Sequence, residues 1–133
     1  MSKRGVFTSN GVHVKVTELR AVEFFLANGY DVELVVPNNT PKNRNPDFII
    51  MGKIWELKTP VTRNKTTISR KIRKGGQQAE NLIVDLRYAK INERIAINTL
   101  QYNYRRSRRI KHILVISKTN QLLSLSKKKN KIQ

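Results

Sequence analysis

The stretch Pro46-Asp47-Phe48-Ile49-Ile50-Met51-Gly52-Lys53-Ile54-Trp55-Glu56-Leu57-Lys58 sets two carboxylates and a lysine into an otherwise apolar run. Glu56 and Lys58 are two apart, so on one strand they leave the same face. Met51-Gly52 reads as a two-residue hairpin turn, because glycine suits the positive φ that such turns need. In that register Asp47 lies directly opposite Glu56, on the same face. Two close, partly buried carboxylates repel each other and raise a pKa unless a cation joins them. A divalent ion with oxygen ligands, Mg²⁺ or Mn²⁺, resolves the conflict. A lysine beside them can orient or activate the attacking water and stabilise the charge of a pentavalent phosphate. The chemistry implied is metal-assisted phosphodiester hydrolysis. Pro-Asp and Glu-x-Lys are each common; their combination at hairpin spacing carries the signal.

The elements that must hold these groups follow from periodicity. Val12, Val14 and Val16 alternate, which predicts an edge strand or a loose arm over residues 1–16. Thr17 is the expected cap of a helix through Leu19, Val22, Phe25 and Leu26, stopped by Asn28-Gly29. Tyr30 to Val36 alternates and ends at Pro37, a strand; Asn38 to Asn45, with Pro41, is a polar loop. Asp47–Met51 and Lys53–Lys58 form the hairpin, closed by Pro60. Thr67 to about Asn81 predicts a basic helix that Gly75-Gly76 weakens or splits in two. Leu82–Leu86 is a short strand, Asn92 to about Ser107 a helix, and Ile113–Ile116 and Leu122–Leu125 are strands. Helices interleaved with strands apolar on both faces imply an α/β fold, a mixed sheet flanked by helices. The expected organisation is an arm over 1–16, one domain over 17–126 and a mobile basic tail over 127–133.

Composition narrows the partners. The 133 residues carry 27 Lys+Arg against 9 Asp+Glu, a net +18. Residues 1–62 hold 8 basic and 6 acidic side chains, whereas residues 63–133 hold 19 and 3. Such asymmetry points to a polyanion, and nucleic acid is the expected one. The clusters Arg70, Lys71, Arg73, Lys74 and Arg105, Arg106, Arg108, Arg109 are the candidate phosphate contacts, with Lys127-Lys128-Lys129 behind them. No apolar run approaches a membrane span, and no signal peptide follows Met1-Ser2-Lys3-Arg4. With no Cys, disulfides and thiolate sites are excluded. His13 and His112 have no acidic or Ser partner at a recognisable spacing. Asp85 reads as a structural strand-end carboxylate, and Trp55 as packing under a helix. Tyr88, Tyr102 and Tyr104 stand near arginines, where they either stack on unpaired bases or pack in the core or at its rim.

These residues resemble the PD-(D/E)xK nuclease superfamily, with Pro46-Asp47 and Glu56-Leu57-Lys58 as the two halves of its motif. The resemblance implies a restriction-endonuclease-like αβββαβ core and an acid on the first helix, Glu18 or Glu23. Glu18-Leu19-Arg20-Ala21, followed by Leu26 and Gly29-Tyr30-Asp31-Val32, favours Glu18. Lys74-Gly75-Gly76-Gln77-Gln78-Ala79-Glu80-Asn81-Leu82-Ile83-Val84-Asp85-Leu86 is similar to the C-terminal nuclease domains of bacterial contact-dependent growth-inhibition toxins, several of which cleave tRNA. Gln78, the glutamine followed by Ala79 and Glu80, matches that family's glutamine. The resemblance implies a metal held by Asp47, Glu56 and Glu18, with Lys58 serving the water or transition state and Gln78 positioning water, Lys58 or a phosphate. It also implies tRNA as substrate, action in the target-cell cytoplasm after delivery with a secreted or cell-surface toxin, and a cognate acidic immunity protein. The sequence starts at Met1 without a delivery region, which reads as an excised toxin domain or a stand-alone cytoplasmic relative. A mobile-element DNA endonuclease of resolvase or repair type, and a non-catalytic basic nucleic-acid-binding protein, are the alternatives.

Overall fold

The computed structural model describes residues 3–36 and 47–127. The expected loop over Asn38–Asn45, the Pro37 and Pro46 positions, Lys128, Lys129 and the rest of the tail to residue 133 lie outside the described residues. The chain divides into two compact units, Met1–Leu57 and Lys58–Gln133. That boundary falls within the span 17–126.

The first unit opens with β1 (Phe7–Thr8), followed by helix α1 (Val16–Ala27) and strand β2 (Val32–Leu34). The hairpin is β3 (Phe48–Ile50) and β4 (Lys53–Lys58). β1 runs parallel to β2, and β2–β3 and β3–β4 are antiparallel, so this half is a mixed sheet. β1 lies at the sheet edge within residues 1–16, where an arm or edge strand is expected, but not on the alternating valines. Phe7 and Thr8 pair with Val32 and Glu33, whereas Val12 to Val14 form no strand and Val16 begins the helix. The chain turns at Asn10-Gly11, both with positive φ.

Helix α1 starts two residues earlier than expected. Its N-cap is Lys15, not Thr17, because Glu18 at the third helical position reaches back to accept the Lys15 N–H at 2.8 Å. It stops at Asn28 with Gly29 at φ 87°, as the Asn-Gly pair predicts. Ala21, Val22, Phe25 and Leu26 are buried. At the hairpin the expected turn is present: Met51 and Gly52 have φ 55° and 73°, the two positive values of a type I′ turn.

The second unit contains helix α2 (Lys65–Gln78), strand β5 (Asn81–Asp85), helix α3 (Glu93–Arg106) and strands β6 (His112–Ile116) and β7 (Leu122–Ser124). β5 and β6 are parallel, as a helical connection requires, and β7 returns antiparallel to β6. Asn64 caps α2 through Thr66 N, and Asn92 caps α3 through Arg94 N and Ile95 N. One core cluster joins Ile68 and Ile72 of α2, Leu100 and Tyr104 of α3, and Leu82, Val84, Ile113 and Val115 of the strands.

Gly75-Gly76 does not split α2. Both glycines are buried, and they mark where the helix backbone comes closest to its neighbours. A Cβ at Gly76 would stand 2.9 Å from Ile110 Cγ1, and one at Gly75 3.2 Å from both Leu82 methyls. Tertiary packing therefore offsets the roughly 1 kcal/mol of helix propensity that each glycine forfeits. Along the chain, α1, β2, β3, β4, α2 and β5 follow in the αβββαβ order expected of the core, and each unit carries a mixed sheet.

Candidate functional site

The first unit contains six acidic residues, and half of them hold its N-terminal arm. Glu23 pairs with Arg4 at 2.5 Å, Asp31 accepts the Val6 N–H at 2.8 Å, and Glu33 accepts from Asn10 at 3.1 Å. The other three are Glu18, Asp47 and Glu56, the acids expected to do chemistry.

Of the two α1 candidates, Glu18 is buried and Glu23 is exposed. Glu18 Oε1 is committed to the helix cap, but Oε2 is buried and has no hydrogen-bond partner. An ionised oxygen in that state is costly. A bound cation would relieve it.

The hairpin register pairs Phe48 with Trp55 and Ile49 with Ile54. Continued by one residue, it sets Asp47 opposite Glu56, as the turn predicts. Asp47 is held in place on its other side as well, where its carbonyl accepts the Val35 N–H at 3.0 Å. Glu56 lies between two other buried residues, Trp55 and Leu57, in the half of β4 that is covered on both faces. Trp55 is 2 % exposed and donates its indole N–H to the Ile50 carbonyl at 2.9 Å, which locks the hairpin end.

Among the described residues no group of three or more His, Asp or Glu side chains is placed to hold a metal ion. Mg²⁺, however, typically takes one or two protein carboxylates and completes its octahedron with water and phosphate oxygens. An oxygen-only donor pair and an orphaned carboxylate oxygen fit such a hard cation and do not fit a thiophilic one.

Lys58 ends β4 two residues after Glu56, half-buried. Within the second unit its side chain runs over α2, where a Cβ at Gly75 would come within 3.4 Å of Lys58 Cε. The glycine thus leaves room for the lysine stem. Gln78 is the last residue of α2 and exposed.

The basic clusters separate. Arg73, Arg105, Arg106, Arg108 and Arg109 line hollows along the α2–α3 face; Arg70, Lys71 and Lys74 do not line these hollows. Asp85 is fully buried and grips Arg87 with both oxygens, at 2.9 and 2.8 Å, the structural role expected of it. That pairing raises the Arg87 pKa. Tyr104 belongs to the core: its hydroxyl donates to the Lys111 carbonyl at 2.6 Å, and burial pushes the phenol pKa up. Tyr102 is exposed, with the Arg106 guanidinium 4.2 Å above its ring. This pair is a feature the sequence reading did not resolve; its signal was the four-residue spacing on one helix.

Residues 44–122 match the family described as "Contact-dependent growth inhibition CdiA C-terminal domain". The chain belongs to the CdiA C-terminal domain family. The match runs from the approach to the hairpin into β7, so it takes in Asp47, Glu56, Lys58, Gln78 and both arginine clusters. Glu18 precedes it. The fold of this CdiA C-terminal domain is similar to a chain of the "CdiA-CT/CdiI toxin and immunity complex from Burkholderia pseudomallei". The TM-score is 0.63 at 22% identity, covering 91% of this chain and 98% of that one. No curated protein matches significantly. As a CdiA C-terminal domain, it is a toxin domain of contact-dependent growth inhibition, a form of interbacterial competition. Among the described residues, no helix is long and apolar enough to cross a membrane.

Proposed function

We propose that this toxin domain is a metal-dependent endoribonuclease, with tRNA the favoured substrate, acting in the cytoplasm of the cell it enters. The observation that carries the reading is the hairpin register, which sets Asp47 opposite a buried Glu56. Asp47 and Glu56 would hold Mg²⁺ or Mn²⁺; Glu18, the third ligand the resemblance implies, has an orphaned oxygen to offer but is not grouped with that pair among the described residues. When bound, the cation supplies Lewis-acid polarisation of the phosphodiester and offsets the clustered negative charge.

The remaining work falls to side chains. The Lys58 ammonium stabilises the charge that grows on the phosphoryl oxygens, or orients the water. The Gln78 amide positions water, Lys58 or a phosphate. The arginines of the second unit hold the backbone. The preference for tRNA over other RNA and over DNA rests on the resemblance to growth-inhibition toxins, since phosphate charge is common to all of them.

A chain this basic also suits an acidic partner. The solved relative is a toxin and immunity complex, which supports a dedicated acidic immunity protein for this chain too.

The test is incubation of the purified chain with total RNA and with plasmid DNA, in Mg²⁺ or in EDTA. Cleavage of the tRNA fraction in Mg²⁺ alone is expected. Metal-dependent cutting of the plasmid alone would move a DNA endonuclease ahead. Cleavage in EDTA would remove the metal, and binding without cleavage would leave a nucleic-acid-binding module.

A further inference from the structure

Three adjoining hollows lie along α2 and α3 in the second unit, with cavity volumes of about 630, 490 and 600 Å³. All three share Tyr102, and none is lined by an acidic residue. On α2 the wall residues Ser69, Arg73 and Gln77 recur every four positions; on α3 Ile95, Tyr102 and Arg106 share one face. Asn103 donates to Ser69 Oγ at 3.0 Å, tying the two helices together. Lys65 lines the first hollow, Arg108 and Arg109 the second, and Arg73 lines both.

Helix-dipole compensation explains Arg105 and Arg106, which sit in the last turn of α3. It does not explain a tyrosine left 56% exposed among cations, nor Arg73, Arg108 and Arg109, which lie elsewhere. The Arg106 guanidinium, 4.2 Å from the Tyr102 centroid, holds the ring in place. A duplex offers phosphates but keeps its bases stacked on each other. An exposed aromatic ring stiffened by arginine and flanked by phosphate-binding cations is what an unpaired base needs.

We infer that the α2–α3 groove is a subsite for a single-stranded nucleotide segment, with one unpaired base stacked on the Tyr102–Arg106 platform and its flanking phosphates held by Arg73 and Arg109. This rests on the reading of the chain as a nuclease and adds to it that the bound strand is locally unpaired, as in a loop or a single-stranded end. An acidic protein surface would use the same arginines but would gain little from the ring.

The test measures binding of a fluorescent twelve-nucleotide oligouridine and of a twelve-base-pair RNA duplex, in EDTA, to the full chain carrying Glu56→Gln so that nothing is cut. Tyr102→Ala should weaken oligouridine binding about tenfold or more, and leave duplex binding and the salt slope of both unchanged. Tyr102→Phe, which keeps the ring, should bind as the parent does. Arg73→Gln with Arg109→Gln should lower the oligouridine salt slope by roughly 1.4, about 0.7 per lost single-strand phosphate contact. Circular dichroism of each variant confirms the fold.

Equal losses for oligouridine and duplex on Tyr102→Ala, or no loss for either, would overturn the subsite. So would an equal loss for polyglutamate, which would make the groove a face for acidic proteins. The two readings fail separately. RNA cleavage with Tyr102→Ala binding intact removes only the subsite, whereas a selective Tyr102→Ala loss in a chain that cuts no RNA removes only the nuclease.

Discussion

Glu18 accepts the Lys15 backbone N–H through Oε1 at 2.8 Å, while its Oε2 is buried with no hydrogen-bond partner. One carboxylate thus both ends a helix and keeps a charge-bearing oxygen in reserve. The two roles separate by substitution. Glu18→Gln retains an acceptor for Lys15, so metal-free stability should be unchanged or higher, while the rise in melting temperature on adding Mg²⁺ should shrink. Glu18→Ala should also lose the cap, about 0.5–1 kcal/mol. A full Mg²⁺-induced shift in Glu18→Gln, read by thermal denaturation, would leave Glu18 a cap and nothing more.

Asp47 and Glu56 should be more severe. Alanine at either position is expected to lower RNA cleavage by roughly a hundredfold or more while the circular dichroism spectrum stays native. The hairpin register sets the buried Glu56 opposite a second carboxylate, Asp47, so in EDTA Glu56→Gln should melt at or above the parent's temperature. Near-normal cleavage by either alanine variant would refute the site.

The cations of the two basic clusters should not be equivalent. Arg73, Arg105, Arg106, Arg108 and Arg109 line the α2–α3 hollows, whereas Arg70, Lys71 and Lys74 do not. Neutralising the first set should flatten the logarithmic salt dependence of RNA binding by roughly one unit per lost phosphate contact. Neutralising the second should change it less. An identical slope change would mean that charge acts only as a diffuse field.

Gly76 offers a test of the packing account. Alanine in a helix interior normally adds about 1 kcal/mol of stability over glycine. Here its Cβ would meet Ile110 at 2.9 Å, so Gly76→Ala should destabilise by about 1–3 kcal/mol on urea denaturation. The double variant with Ile110→Val should recover part of that loss.

A nuclease toxin must be silenced where it is made. Expressed without its partner, the chain should deplete intact tRNA and stop bacterial growth, and the Glu56→Ala form should be harmless. The partner is expected to be a small acidic protein that binds with nanomolar affinity or better, about 12 kcal/mol, measurable by titration calorimetry. High-level expression of the wild-type chain with normal growth and intact tRNA would count against the toxic nuclease.

What the sequence determined by itself was everything set by near neighbours. Met51-Gly52 specified a positive-φ turn, and the turn specified the register that sets Asp47 opposite Glu56. Asn28-Gly29 ended α1, Asn92 began α3, and Asp85 found its partner two residues on in Arg87. The surplus of cations after residue 62 was plain from counting. Tertiary structure decided what depends on atoms far along the chain. The parallel pairing of Phe7 and Thr8 with β2 has no local signature, because its partners lie 25 residues away. Gly75-Gly76 read as a helix breaker until Leu82 and Ile110 were packed against it. Likewise Tyr102 and Tyr104, two apart on one helix, differ only because the second faces the core and the first the α2–α3 groove. Turn and cap preferences act over a few residues, whereas burial is a property of the whole fold.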